Sequence, residues 1–198
     1  MMNYYFLDFQ YPRKGFISGD VTFNPSMDKN YSAIHSELPA DLTVEVTLHS
    51  SVRVMDVDLF STTSTALFVS DDLKKTLNDI DVPVQFVPAN VHYFDGSEVA
   101  KTYWLAHNLP KVDCLDLYSS EFAGKKIILN ALETQERRIV KGIKKVVLDE
   151  SNISNMEFFL IMYTYLLNPV VSQNFLDLCN KKSLKLKAIP VDEFQQSL

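Results

Sequence analysis

Asp56-Val57-Asp58 sets two carboxylates one residue apart, the spacing at which short acidic motifs hold a divalent cation through oxygen ligands. The apolar neighbours Val54, Met55, Val57 and Leu59 alternate with them, so the stretch reads as a strand with Asp56 and Asp58 on its solvent face. A second constellation, "VDCLD", brackets Cys114 with Asp113 and Asp116. A nucleophilic thiol needs a positive or imidazole neighbour to lower its pKa, and carboxylates do the opposite. His107, seven residues away, is the nearest imidazole in sequence. His35, His49, His92 and His107 form no zinc-binding spacing. The five glycines build no phosphate-binding loop or nucleophile elbow. Arg137, Arg138, Lys141, Lys144 and Lys145 gather in "ERRIVKGIKK" without interleaved aromatics, which favours a solvated face over a stacking platform. The expectation is no catalytic, cofactor-binding or metal site. The alternative is a metal-dependent transferase or hydrolase using the surface carboxylates Asp56, Asp58 or Asp113.

The elements around these residues are written twice. "LFVSDDLKKTLNDIDVPVQFVP" at 67–88 and "PVVSQNFLDLCNKKSLKLKAIP" at 169–190 are offset by 102 residues without a gap. In each, an apolar pair ends at a serine, Ser70 or Ser172, suited to cap a helix. Asp71 and Asp72 suit the positive end of the helix dipole. Leu73, Leu77 and Ile80 make one buried stripe, as do Phe175, Leu176 and Cys179. The period then switches to two through Val82, Val84 and Phe86, and through Leu184, Leu186 and Ala188, which reads as a half-buried strand. Pro88 and Pro190 are expected to close the units. Upstream strands are expected in "SVRVMDVDLF" and "FFLIMYTYLL", and a first strand at Tyr5, Leu7 and Phe9. A further strand is expected through Tyr103 and Leu105. "AGKKIILNAL" and "RRIVKGIKKVVL" fit strands or a short amphipathic helix, and residues 12–40 read as a long surface connection. The fold class expected is α+β, mixed and strand-rich, with two repeated strand–helix–strand units at about 50–90 and 146–192. One domain over 1–198 is expected, made of two pseudo-repeated halves, 1–100 and 101–198.

Composition agrees with a globular chain: hydrophobic residues are 46 %, charged residues 22 % and aromatics 12 %, too apolar for disorder. The longest apolar run, at 158–167, is half of what a membrane-spanning helix needs, and the first residues do not read as a secretory signal. Cys114 and Cys179 are expected as buried, reduced thiols in a cytoplasmic protein. The net charge of −6 is uneven, with 14 acidic against 6 basic groups in residues 1–100 and 11 against 13 in residues 101–198. An acidic first half disfavours nucleic acid and suits a basic partner.

Four blocks in order, "NYYFLDF", "VRVMDVDLFSTTSTALFVSDDLKKTL", "YWLAHNLPKVDCLDLYSSEF" and "KKVVLDESNISNMEFFLIMYTYLLNPVVSQNFLDLC", span nearly the whole chain. Together they resemble family eleven of the bacterial polymorphic-toxin immunity proteins, formerly classed as a domain of unknown function. The resemblance implies a single-domain α+β protein, encoded beside a toxin, that binds this cognate toxin in the producing cell's cytoplasm and blocks it without catalysis. It offers no catalytic residue to carry over; no cofactor is expected, neither nucleic acid nor membrane is expected as a partner, and the chain is expected as a monomer or weak homodimer. Family members usually carry a glycine-rich turn in each helix–strand unit; here "NDIDVP" and "NKKSLK" stand instead. Steering by charge speeds association, so the contact surface is expected at Asp71, Asp72, Asp79, Asp81, Asp95 and Glu98, facing a basic toxin.

Overall fold

A computed structural model describes residues 3–11, 15–16, 19–27, 38–62, 65–133 and 138–194. Among these the chain is strand-rich, with three α-helices and sheets of mixed direction, an α+β arrangement. In chain order come β1 (Tyr4–Asp8), β2 (Gln10–Tyr11), β3 (Gly15–Phe16), β4 (Gly19–Asn24), β5 (Thr43–Leu48), β6 (Leu59–Ser61), β7 (Leu67–Ser70) and α1 (Asp71–Asp79). Next are β8 (Gln85–His92), β9 (Tyr103–His107), β10 (Lys111–Val112), β11 (Glu121–Ala123), α2 (Lys125–Glu133) and β12 (Lys141–Lys145). β13 (Phe158–Ile161), β14 (Val170–Ser172), α3 (Gln173–Lys181) and β15 (Lys187–Pro190) complete the order. None of the described helices is long and apolar enough to cross a membrane.

The chain forms two compact units, each from non-contiguous segments. One, from Phe9–Leu109 and Asp177–Lys187, holds a six-stranded sheet in the order β4-β5-β8-β9-β7-β6. β5 and β8 are parallel, and the other neighbours are antiparallel. Alternation builds its core: β5 buries Val44, Val46 and Leu48 in turn. They join Phe60, Phe68, Tyr103 and Leu105 in one cluster. Phe60 stacks on Phe68 at 4.9 Å and meets Tyr103 edge-on at 5.2 Å. Leu73, Thr76 and Leu77 are the buried face of α1, which packs on β7 and β9.

The other unit, from Met1–Asp8, Pro110–Leu176 and Ala188–Leu198, holds a sheet in the order β10-β13-β14-β1-β15 and the β11–β12 pair. Phe6, Cys114, Phe159 and Val170 are in its core, with Phe194 at 4.0 Å from the Phe6 ring.

The two serine-capped segments make corresponding bonds. Leu73 N donates to Ser70 Oγ at 3.2 Å, and Phe175 N to Ser172 Oγ at 3.1 Å. Both helices end by the same two bonds: Asp81 N to Asn78 O with Val82 N to Leu77 O, and Ser183 N to Asn180 O with Leu184 N to Cys179 O, each 3.0 Å. This is the Schellman stop, whose left-handed residue is usually glycine. Asp81, at φ 53°, and Ser183, at φ 58°, fill that place here, so the turn forms without glycine. Strand order also corresponds, β8-β9-β7-β6 against β15-β1-β14-β13. Ser70 lies opposite Tyr103 on β9, and Ser172 opposite Tyr4 on β1.

Several local expectations are corrected. Part of the supposed connection 12–40 is strand β4, paired with β5 from Gly19↔Leu48 to Asn24↔Thr43; residues 12–14, 17–18 and 28–37 lie outside the described residues. At Gly19 a Cβ would stand 2.6 Å from the Thr47 carbonyl oxygen, which is why that end of the ladder takes glycine. Residues 52–58 are not a strand; the strand begins at Leu59. Pro88 lies inside β8 rather than closing it, tolerated because the ladder to β5 starts at Ala89. The ambiguous region resolves into helix α2 and strand β12.

Candidate functional site

β5, β7 and β8 run the same way, so they finish at one end of the six-stranded sheet, where β6 and β9 begin. That end gathers the loop 49–58, the first turn of α1 and the connection 93–102. A buried carboxylate ties them together. Asp58, 0 % exposed, accepts from Ser70 Oγ at 2.5 Å and Lys101 Nζ at 2.6 Å on Oδ1, and from Lys185 N at 2.5 Å on Oδ2. Its own N–H donates to Lys185 O at 3.3 Å, and its carbonyl accepts from Ser70 N at 2.9 Å. Asp56, half-buried, pairs with Lys185 Nζ. The expected solvent-facing pair is thus corrected: with no strand to alternate, Asp58 turns inward. The oxygens a cation would need are taken by lysines and a serine. Among the described residues no three His, Cys, Asp or Glu side chains converge as a metal-ligand set.

The six acidic residues expected at a contact surface are divided. Asp71, Asp72, Asp95 and Glu98 lie at this end of the sheet. Asp79 and Asp81 lie at the far end of α1, about 12 Å along its axis. Asp71 pairs with Lys75 at 2.7 Å and accepts from Trp104 Nε1 at 3.1 Å. The Lys75 hydrogen bond holds its carboxyl below the ordinary carboxylate range, with Trp104 adding to the effect. Lys74 lies 2.9 Å from the Trp104 ring centroid, and burial lowers its pKa. Asp79 is paired with Lys182 at 2.6 Å. Asp72, Asp81 and Glu98 are exposed. Charge, too, is redistributed by the fold. The six-stranded unit carries 14 acidic and 11 basic groups and the five-stranded unit 11 and 8, because Lys181, Lys182, Lys185 and Lys187 belong to the former.

Beside Asp95 stands a residue that sequence reasoning missed. Phe94 is 70 % exposed at the tip of a closed turn, and Val54, in the 49–58 loop, is 49 % exposed. Tyr93 N donates to Ser97 O at 2.8 Å, and Gly96 N to Tyr93 O at 2.9 Å. Asp95 Oδ1 accepts from Ser97 N at 3.0 Å and Ser97 Oγ at 2.6 Å. Those bonds hold the Asp95 carboxyl below its usual range, with Arg53 contributing. Tyr93 Oη accepts from Met55 N at 2.9 Å, anchoring the turn to the 49–58 loop. Between them opens a pocket lined by Ser50, Val52, Arg53, Tyr93, Phe94, Asp95 and Ser97. An aromatic immediately before the turn dipeptide Asp95-Gly96 was the available signal.

The remaining chemistry-bearing residues are occupied structurally or dispersed. Cys114 and Cys179 are buried and outside any disulfide. Burial pushes both thiols up to about 12, Asp113 adding to the effect at Cys114. His107 is buried, and His49 is exposed against Ser51. His92 Nε2 lies 3.4 Å from Glu45. Arg138, Lys141, Lys144 and Lys145 are exposed, with Lys141 at 5.0 Å from the Tyr165 ring. His35 and Arg137 lie outside the described residues.

No curated protein matches the chain. The family model described as Immunity protein family (Imm11) matches residues 17–189, most of the sequence, and points to a toxin-neutralising role. The chain belongs to the Imm11 immunity protein family.

Proposed function

We propose that the chain binds a cognate bacterial toxin in the cytoplasm of the producing cell and neutralises it by covering its working surface, without catalysis of its own. The observation that carries this reading is the fate of Asp58, the more buried carboxylate of the Asp56-Val57-Asp58 motif. It serves as the scaffold's tie between loop, helix cap and strand, while the exposed groups at the same end remain turned outward. A binder of this kind needs a stiff body and a fixed contact surface, since ordering on association weakens affinity.

The proposed partner is a basic toxin domain, met by Asp72, Asp95 and Glu98, with Asp71 already shared with Lys75; Asp79 and Asp81 would form a separate acidic region. The protein acts as a single-domain monomer or weak homodimer, with neither nucleic acid nor membrane as partner, and the two serine-capped segments are read as an internal duplication. The experiment is co-expression with the toxin encoded beside this chain. Growth restored by the chain supports the reading, and growth arrest that persists at equal expression overturns it. The runner-up, a metal-dependent transferase or hydrolase using Asp56, Asp58 or Asp113, requires calorimetric binding of magnesium, manganese or zinc.

A further inference from the structure

We propose that the turn Tyr93–Glu98 is the toxin-docking point, with Phe94 entering an apolar recess of the partner and Asp95 receiving a lysine or arginine that the partner places in the adjoining pocket. This inference rests on the toxin-binding reading above.

The two corresponding motifs locate it by subtraction. Caps, stops and strand order are common to both, and those are scaffold. The connection from β8 to β9 is not common, because the corresponding strands β15 and β1 are far apart in sequence. Besides β4, β5 and the 49–58 loop, what the six-stranded unit adds to the shared scaffold is the turn that presents Phe94.

That turn has the physical properties of an anchor. A large aromatic left 70 % exposed on a loosely held loop would fold back or lose ordering entropy on binding. Here the backbone is closed by the Tyr93–Ser97 and Gly96–Tyr93 bonds, Gly96 supplies the left-handed residue at φ 82°, and Tyr93 is fastened to Met55. Buried aromatic anchors in a partner's pocket carry most of the affinity of such interfaces.

Charge complementarity selects the partner's chemistry. Both Ser97 bonds fall on Asp95 Oδ1, so the second carboxylate oxygen is not used by the turn. Glu98 and Asp72 are exposed at the same end of the sheet. A cationic side chain entering beside Phe94 meets a carboxylate and an aromatic face together. Arg53 on the pocket wall gives the recess two signs, which fixes orientation rather than adding attraction alone.

The test uses the full chain and the toxin domain encoded beside it, inactivated in its own active site, with binding followed by interferometry. Phe94→Ala should bind at least tenfold more weakly, mainly through faster dissociation. Asp95→Asn keeps an acceptor for Ser97 and should associate more slowly with a shallower salt dependence. Tyr165→Ala and Ile127→Ala, exposed positions of the five-stranded unit, should bind as wild type. Circular dichroism and the melting temperature of Phe94→Ala should match wild type, since the ring packs little. Wild-type affinity in Phe94→Ala overturns the docking point and leaves the toxin reading standing. Selective loss in Tyr165→Ala or Ile127→Ala also overturns it, by moving the contact elsewhere. Absence of any complex with the wild-type chain overturns both.

Discussion

The Ser70 hydroxyl stands between the first turn of α1 and the carboxylate of Asp58, accepting from Leu73 N at 3.2 Å and donating to Asp58 Oδ1 at 2.5 Å. Ser172 does the same between Phe175 N and Glu157. Each cap thus starts one helix and fixes the approach of an upstream segment, so a single side chain determines two levels of structure.

Removing Asp58 should show this. Asp58→Ala leaves Lys101 and Ser70 without their buried partner and should lower stability by about 3–5 kcal/mol, the usual cost of breaking a buried pair from one side. Asp56→Ala disrupts a more exposed pair and should cost less than about 1 kcal/mol. Urea unfolding of both variants gives the comparison. Equal, small losses would mean that the Asp58 network does not hold the loop.

The helix stops make the opposite prediction. Asp81 and Ser183 occupy left-handed backbone at φ 53° and 58°. Glycine relieves the strain of an L residue there but has more unfolded-state entropy, so Asp81→Gly and Ser183→Gly should each stabilise by about 0.5–1 kcal/mol. A fall in melting temperature for either would contradict the assigned geometry.

Acid should weaken the fold. Asp71, Asp95 and Asp116 are held below the carboxylate value of 3.8 by hydrogen bonds from Lys75, Ser97 and Ser119 respectively. A lowered folded pKa favours the ionised form in the native state. The stabilisation is therefore complete above the unfolded pKa and is lost as pH falls through the folded one. Unfolding free energy should decline from about pH 5 to pH 2, gently because Asp95 is exposed and Asp71 and Asp116 are only half-buried. The triple variant with asparagine at 71, 95 and 116 should decline less steeply; an unchanged slope would refute the assignment.

Both thiols should be silent in the native protein. Burial pushes Cys114 and Cys179 up to about 12, so a thiol reagent at pH 8 should label neither until urea unfolds the chain, and then both. Rapid native labelling would show an accessible or activated cysteine.

What the sequence revealed was what the chain decides locally. Ser70 and Ser172 were readable as caps because the acceptor lies three residues from its donor, and the stripes of Leu73 and Phe175 follow helical period. Asp58 was not readable. Its alternation with Val57 and Leu59 mimics a strand, whereas its inward turn depends on Lys101 and Lys185, which are 43 and 127 residues away. The first strand was readable from its own alternation, but the same distance problem hid its partner: β1 stands beside β14 where β9 stands beside β7. Linear charge misled for a related reason, since Lys182 and Lys185 return to pair with Asp79 and Asp56. Phe94 was passed over because exposure is a property of the finished surface.

The claim beneath all of this is that the chain works by surface binding. Size-exclusion chromatography with light scattering, on the chain mixed with the toxin domain encoded beside it, addresses that claim most directly. The account predicts a one-to-one complex whose formation removes toxin activity in step. Separate elution of the two proteins with toxin activity undiminished would contradict it.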